Sequence, residues 1–165
     1  MIYIRSIEQK ESDLEFLMDM MYESIHISEN KPPKEELLNL PHLKKYSEEW
    51  GRQGDRALIA FNEDKLPVGA AWYRLFTKDN KGYGYVNDST PEIGIALTNG
   101  ARGKGVGTLL MKKLMEAAFE DGYSSLSLSV DPSNIQAVQL YKKLGFIKCG
   151  MSGTSFTMIY NNSSK

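Results

Sequence analysis

The segment 92–107, EIGIALTNGARGKGVG, constrains the fold of this chain more than any other stretch. It consists of a short apolar run, a turn, and three glycines at alternating positions that lead directly into a helical pattern. The first N–H groups of a helix have no intrahelical acceptor, and the helix dipole favours negative charge there. The glycines clear side chains from that end, and Arg102 and Lys104 add positive charge. The segment therefore predicts a strand, a loop and a helix that hold a phosphate or pyrophosphate.

Two common phosphate loops do not match these letters. A Walker loop needs a glycine where this chain has Thr98, and Ser or Thr where it has Gly105. A dinucleotide fingerprint needs its third glycine where this chain has Thr108. The pattern that fits is R-x-x-G-x-G, formed by Arg102, Gly105 and Gly107.

A second motif lies one predicted strand downstream. Residues 134–146 read N-x-x-A-x-x-L-Y-x-x-x-G-F, and they contain Asn134 and Tyr141. Seven helical residues return to within about 20° of the starting direction. Their rise is about 10 Å, so one extended ligand can contact both side chains. Two simpler roles stay open: Asn134 as a helix N-cap and Tyr141 as a core aromatic residue.

The two motifs, in this order, resemble those of the GNAT superfamily of N-acetyltransferases over about residues 90–150. The resemblance implies an α/β (α+β) fold. Its central sheet would be mixed, mostly antiparallel, with six to seven strands, about four helices and a splayed central strand pair. We expect a single domain over residues 1–160, because no linker divides the chain, and a frayed tail over 161–165.

The resemblance also implies an activity: transfer of an acetyl group from acetyl-CoA to a primary amine of a small molecule or peptide. Transfer would be direct, in a ternary complex, and no metal is required. Backbone groups of Ile95 and Leu97 would pair with pantetheine, and the Leu97 N–H would stabilise the thioester oxygen. The residues assigned to coenzyme binding are Ile95, Ala96, Leu97, Arg102, Gly103, Lys104, Gly105, Val106, Gly107, Thr108, Asn134 and Tyr141.

Two side chains are candidates for proton transfer. An ammonium has no lone pair, so the acceptor must lose a proton, and Glu92 is the candidate base, acting directly or through water. Tyr141 is the candidate acid that protonates the departing thiolate. A surface carboxylate at a strand edge is the alternative for Glu92. Ribosomal-protein alanine acetyltransferases carry a glutamate where this chain has Ser129, which counts against their base arrangement and substrate class.

Gly94 and Ala96 share the face of the central strand that carries Glu92. Because both residues are small, this face is predicted to permit close approach by a ligand.

Composition narrows the partners. Net charge is −1 and the pI is about 6.1, so bulk electrostatics indicate neither nucleic acid nor an anionic membrane. One cysteine and two histidines form no metal-ligand cluster, and we expect a cytoplasmic location, with a homodimer possible at the level of the family. A catalytically idle acyl-CoA-binding sensor or regulatory module is the alternative function. A nucleotide-binding domain is a further one, which the failed loop matches disfavour.

Periodicity predicts the elements along the chain. The predicted strands are a short first one around Ile2 and Ile4, then 56–61, 68–76, 92–97, 125–130 and 156–160. The predicted helices are 12–27 with a capping box at Ser12–Glu15, short pieces at 34–39 and 41–50, one from Val106 to near Gly122, and one opening at Asn134 and ending at a left-handed Gly145.

Overall fold

The structure is a computed structural model that describes residues 1–27 and 29–162. The strands are β1 (Tyr3–Ser6), β2 (Arg56–Phe61), β3 (Pro67–Arg74), β4 (Glu92–Leu97), β5 (Ser125–Val130), β6 (Ile147–Ser152) and β7 (Ser155–Asn161). The α-helices are α1 (Glu11–Ser24), α2 (Lys34–Leu38), α3 (Val106–Glu120) and α4 (Ile135–Lys143). Short 3₁₀ turns lie at Lys44–Tyr46 and Asn99–Ala101.

The strands form one mixed sheet in the order β1-β2-β3-β4-β5-β7-β6. β4 and β5 are parallel, whereas β1–β2, β5–β7 and β6–β7 are antiparallel. Seven strands and four α-helices in the described chain confirm the predicted fold class. None of the helices in this part of the chain has the length and apolarity needed to cross a lipid bilayer.

The described chain divides into two compact units. The first contains Met1–Trp72 and Gly94–Leu114, and the second contains Tyr73–Ile93 and Met115–Lys165. In the first unit, α1 buries one face against β2 and β3, and α2 contributes Leu38 to the same core. This core consists of Leu17, Met20, Met21, Leu38, Ala57, Ile59, Ala70 and Trp72.

The start of α1 differs from the prediction. Lys10 is the N-cap residue and makes no side-chain cap, so the predicted capping box of Ser12 is wrong. The buried Asp13 accepts the Glu8 N–H at 2.8 Å and a two-point contact from Arg5 at 2.7 and 3.0 Å. These hydrogen bonds, that from Arg5 above all, lower the pKa of Asp13. The charge pair between β1 and α1 therefore fixes the start of this helix.

Other boundaries differ from the predictions. α1 ends at Ser24 instead of residue 27, and β3 ends at Arg74 instead of residue 76. The piece predicted over 41–50 contains only the 3₁₀ turn, and Glu49 near its end adopts a positive φ of 53°, which no α-helix contains.

At the C-terminal end, β6 was not predicted, because a bulge between Lys148 and Gly150 disrupts its alternation. β7 includes Asn161, which was expected in the frayed tail. Residues 163–165 of that predicted tail lie outside the described residues.

In the second unit, α4 ends in a left-handed glycine as predicted. Gly145 has a φ of 104°, and its N–H donates to the Lys142 carbonyl at 3.0 Å. The Phe146 N–H donates to the Tyr141 carbonyl at 2.9 Å, which completes a Schellman motif. The Phe146 ring packs against the rings of Tyr141 and Tyr160, with centroids 6.0 and 5.6 Å away. The motif therefore anchors α4 to β7 through tilted contacts between aromatic rings.

Two strand glycines give a matched test of packing in the first unit and its control. A Cβ at Gly94 would lie 2.6 Å from the Trp72 ring, whereas a Cβ at Gly150 in β6 would meet nothing within 4 Å. Neither residue has a positive φ. Overpacking costs about 1–3 kcal/mol, so Gly94→Ala should lower the free energy of unfolding in urea by that amount. Gly150→Ala should change it little, and equal losses in both variants would contradict the packing.

Candidate active site

The glycine loop, residues 102–107, connects β4 to α3 and contains two residues in the left-handed conformation. Gly103 and Gly105 have φ angles of 77° and 82°, which other residues rarely adopt. A Cβ at either position would meet nothing within 4 Å, so the space beside the backbone is open to a ligand. Arg102 and Lys104, which alternate with these glycines, are both exposed. The loop therefore joins bare backbone to two cations.

The first turn of α3 supplies the hydrogen-bond donors. The first helical contact is the Leu109 N–H to the Gly105 carbonyl at 3.1 Å, so the amides of Val106, Gly107 and Thr108 precede the helical ladder. The Val106 side chain is buried, which anchors this turn while its backbone stays at the helix end. This arrangement is suited to a phosphate or pyrophosphate.

The backbone groups of β4 point in alternating directions. The Thr98 N–H donates to the Val68 carbonyl at 2.9 Å and so points toward β3. Since successive residues of a strand alternate, Ile95 and Leu97 direct their backbone groups away from β3. Pro91, which shares this parity, accepts the Ser127 N–H of β5 at 2.9 Å. The backbone groups of Ile95 and Leu97 therefore lie on the side of β4 that faces away from β3, and their pairing with pantetheine stays a prediction.

Close packing explains the glycine in β4. The space in front of Gly94 is filled by the Trp72 indole, which is buried in the core of the first unit. The prediction that Gly94 leaves its face open to a ligand is therefore wrong. The small residue is needed so that a core tryptophan can pack on the strand.

Glu92 is buried, with 7% of its surface exposed, at the first position of β4. Its Oε1 accepts the Gly84 N–H at 3.0 Å, and its register partner on β5 is Ser127. A surface carboxylate, the alternative considered above, does not describe this residue. Sequence reasoning missed Gly84 and Ser127, since a glycine in a polar loop and one serine among three in a strand carry no distinguishing signal.

Asn134 caps α4. Its side-chain oxygen accepts the Ala137 N–H at 3.3 Å, and the residue is otherwise exposed. The simpler role considered for Asn134 is therefore present in the structure. An exposed cap can still offer its amide N–H groups to a ligand, so this role leaves the predicted coenzyme contact possible.

Tyr141 is largely buried, with 8% of its surface exposed, and lies in the aromatic cluster around Phe146. Burial raises the pKa of Tyr141 to about 12, because the phenolate is poorly solvated there. The phenol consequently remains a proton donor throughout the neutral and mildly alkaline range. This is the protonation state that a candidate acid requires.

The candidate residues divide between the two units. Residues 95–97 and 102–108 belong to the first, whereas Glu92, Asn134 and Tyr141 belong to the second. Within the first unit, β4, the glycine loop and α3 are contiguous in the chain. Within the second, Glu92 lies beside β5, and Tyr141 lies on α4.

The sequence profile of the Acetyltransferase (GNAT) family matches residues 17–146. The chain belongs to this family, and it is an acetyltransferase. Streptothricin acetyltransferase A of Bacillus subtilis is 29% identical over an alignment of 136 residues that covers 78% of this chain and 69% of that protein.

Solved structures share the fold. A GCN5-related N-acetyltransferase from Kribbella flavida superposes with a TM-score of 0.69 at 18% identity, covering 97% of each chain. The spermidine N-acetyltransferase of Vibrio cholerae in complex with CoA and spermine gives a TM-score of 0.67 at 19% identity. It covers 98% of this chain and 96% of its own.

The burial of Tyr141 predicts a pH dependence of stability. Its folded pKa of about 12 lies above the ordinary value of 10. The stabilisation is therefore complete below pH 10 and is lost as pH rises toward 12. Two pKa units correspond to about 3 kcal/mol, so the unfolding free energy of the wild type should fall by about that much more than that of Tyr141→Phe. Urea unfolding between pH 9 and pH 12 measures the difference. Tyr3→Phe, at an exposed residue, should follow the wild type, and parallel curves for all three proteins would refute the burial effect.

Proposed function

We propose that this protein transfers the acetyl group of acetyl-CoA directly to a primary amine of a small molecule or peptide within a ternary complex. The observation that carries the proposal is the glycine loop at the start of α3. Its two left-handed glycines, open space and flanking cations match the needs of a pyrophosphate, and the family supplies the identity of the donor.

Acetyl-CoA is the proposed acetyl donor, and the negative charge of its pyrophosphate must be neutralised when it binds. The amides of residues 106–108 would donate to the pyrophosphate, and Arg102 and Lys104 would add charge-assisted contacts. Asn134 would contribute its side-chain amide. These residues hold the donor and take no part in the chemistry.

The thioester carbonyl develops negative charge when the amine attacks it. The Leu97 N–H is the proposed donor to this oxygen, and strand parity supports the role because it directs that group away from β3. Losing one such donor typically reduces kcat by about 10²–10³-fold. A backbone donor cannot be removed by a side-chain substitution, so the proposal is tested by substitutions in the glycine loop and at Tyr141.

Tyr141 is the proposed acid for the departing thiolate. A thiol with an ordinary pKa of about 8.5 is a stronger acid than a phenol, so full transfer to free thiolate is uphill. Burial raises the pKa of a leaving thiol as well as that of the phenol, so it does not remove this difference. The phenol therefore acts first as a hydrogen-bond donor to the sulfur and gives up its proton as the C–S bond breaks.

The acceptor is proposed to be a small amine-bearing molecule. A relative named for streptothricin and a structural neighbour bound to spermine both indicate this class, without identifying the compound. Glu92 is the proposed base, and its buried carboxylate would take the proton that the amine must lose.

Gly105 and Gly122 provide a matched pair for the loop. Both have positive φ angles, 82° and 97°, and a Cβ at either would meet nothing within 4 Å. Alanine should therefore strain both backbones by about 1–2 kcal/mol. Only Gly105→Ala should weaken coenzyme A binding, by at least about tenfold or 1.4 kcal/mol, because its Cβ occupies the space assigned to pyrophosphate. Calorimetry measures the affinities, and unchanged binding in Gly105→Ala would refute the loop assignment.

Release of coenzyme A tests the reaction itself. Acetyl-CoA is incubated with pools of polyamines, amino acids, aminoglycoside-type antibiotics and peptides, and free thiol is measured. Release with one pool should fall by about 10²-fold or more in Tyr141→Phe, in line with the loss of a general acid. Cys149 is exposed and reacts with thiol dyes, so a blank without acetyl-CoA or a Cys149→Ser background is required. No release with acetyl-CoA bound would favour the sensor or regulatory function, and equal rates in Tyr141→Phe would exclude Tyr141 as the acid.

A further inference from the structure

Ser127 presents an unexplained polar group in the core of the second unit. Its side chain is fully buried, at 0% exposure, in the middle of β5. Within residues 1–27 and 29–162, the Ser127 hydroxyl has no hydrogen-bond partner. A buried hydroxyl left unsatisfied costs free energy, and such groups commonly bind an internal water. The neighbouring Ser125, by contrast, donates to the Asn161 side chain at 2.6 Å.

The register of the sheet brings this hydroxyl beside Glu92. Ser127 and Glu92 are partners across the parallel β4–β5 pair, and the Ser127 N–H donates to the Pro91 carbonyl at 2.9 Å. Directly paired residues project from the same face of a sheet. The orphaned hydroxyl and the buried carboxylate therefore share one face at adjacent positions.

A charged neighbour comes from β3. The Thr98–Val68 hydrogen bond and the Gly94–Trp72 contact show that β3 and β4 run in opposite directions. Two residues beyond that contact, the same register sets Arg74 across from Glu92. Arg74 is almost completely buried, so a positive charge accompanies the carboxylate on this face. The corresponding positions of β5 are serines, which do not titrate.

The connection between β3 and β4 closes the remaining side. The Gly84 N–H donates to Glu92, and a Cβ at Gly84 would lie 2.7 Å from the Leu128 carbonyl carbon and 2.9 Å from the Ser129 nitrogen. This loop therefore rests directly on the backbone of β5 beside Ser127. A side chain at position 84 would clash with the β5 backbone, so only glycine lets the loop approach this closely.

We propose that Ser127 is a positioning residue for Glu92: the Ser127 hydroxyl holds a buried water against the Glu92 carboxylate. The inference rests on the proposed function, in which Glu92 receives the proton of the acceptor amine. In that step the ammonium N–H bond breaks, the proton passes to the water, and a water proton passes to Glu92. The amine keeps the electron pair with which it attacks. Ser127 orients the water and gives up no proton.

The test compares Ser127→Ala with Ser125→Ala, an equivalent change at a serine outside the site. In Ser127→Ala, kcat should fall about tenfold or more, the KM for acetyl-CoA should stay unchanged, and the acidic limb of the pH–rate profile should move to higher pH. Ser125→Ala should match the wild type. Glu92→Gln should lose the acidic limb, and adding Ser127→Ala to it should cause no further loss, because both act through one carboxylate.

Thermal unfolding gives a readout that does not depend on activity. If the hydroxyl binds the water, Ser127→Ala should lower the Tm at neutral pH, and the loss should shrink in the Glu92→Gln background. If the hydroxyl is unsatisfied, Ser127→Ala should raise the Tm or leave it unchanged. That result, together with an unmoved pH profile, would overturn the inference while leaving the acetyltransferase activity intact. An inactive wild type with the expected Tm pattern would instead retain the Ser127–Glu92 contact and reject the catalytic role of Glu92.

Discussion

The backbone conformation of Gly103 and Gly105 is the constraint on which the site depends. Both residues adopt φ angles that a side chain would strain, and in doing so they carry the chain from β4 into the first turn of α3. The buried Val106 then fixes the helix end, with its backbone donors leading the helix. A loop of ordinary residues would place Cβ atoms where the donors now face open space. The proposed recognition of an anion therefore depends on main-chain geometry, and Arg102 and Lys104 would add charge to it.

A second constraint is the burial of charge at the start of β4. Glu92 accepts the Gly84 N–H, and register places Ser127 and Arg74 on the same face. Buried carboxylates require such neighbours, because an isolated charge is strongly destabilising in a poorly polar interior. The same neighbours would govern how readily Glu92 accepts a proton. Stability and the proposed catalysis are thus coupled at this residue.

Sequence reasoning succeeded where one segment determines its own structure. The bounds of β2, β4 and β5 and the left-handed Gly145 follow from local periodicity and turn chemistry. It failed where distant segments decide. The face of Gly94 was predicted to be open to a ligand, because residue spacing alone does not reveal that Trp72 packs against it. The start of α1 is set by Asp13 and not by a cap at Ser12, because Asp13 pairs with Arg5 on another element. The bulge in β6 breaks the alternation by which that strand could have been predicted. Ser127 could be recognised as a candidate residue only from its register with Glu92.

The most direct test of the acetyltransferase account is mass spectrometry of the amine itself. An amine pool is incubated with the protein and acetyl-CoA labelled in its acetyl group, and both products are quantified. The account predicts that one amine gains the labelled acetyl group in an amount equal to the coenzyme A released, with Tyr141→Phe much slower. Coenzyme A released without any acetylated amine, leaving labelled acetate instead, would show transfer to water and contradict the central claim.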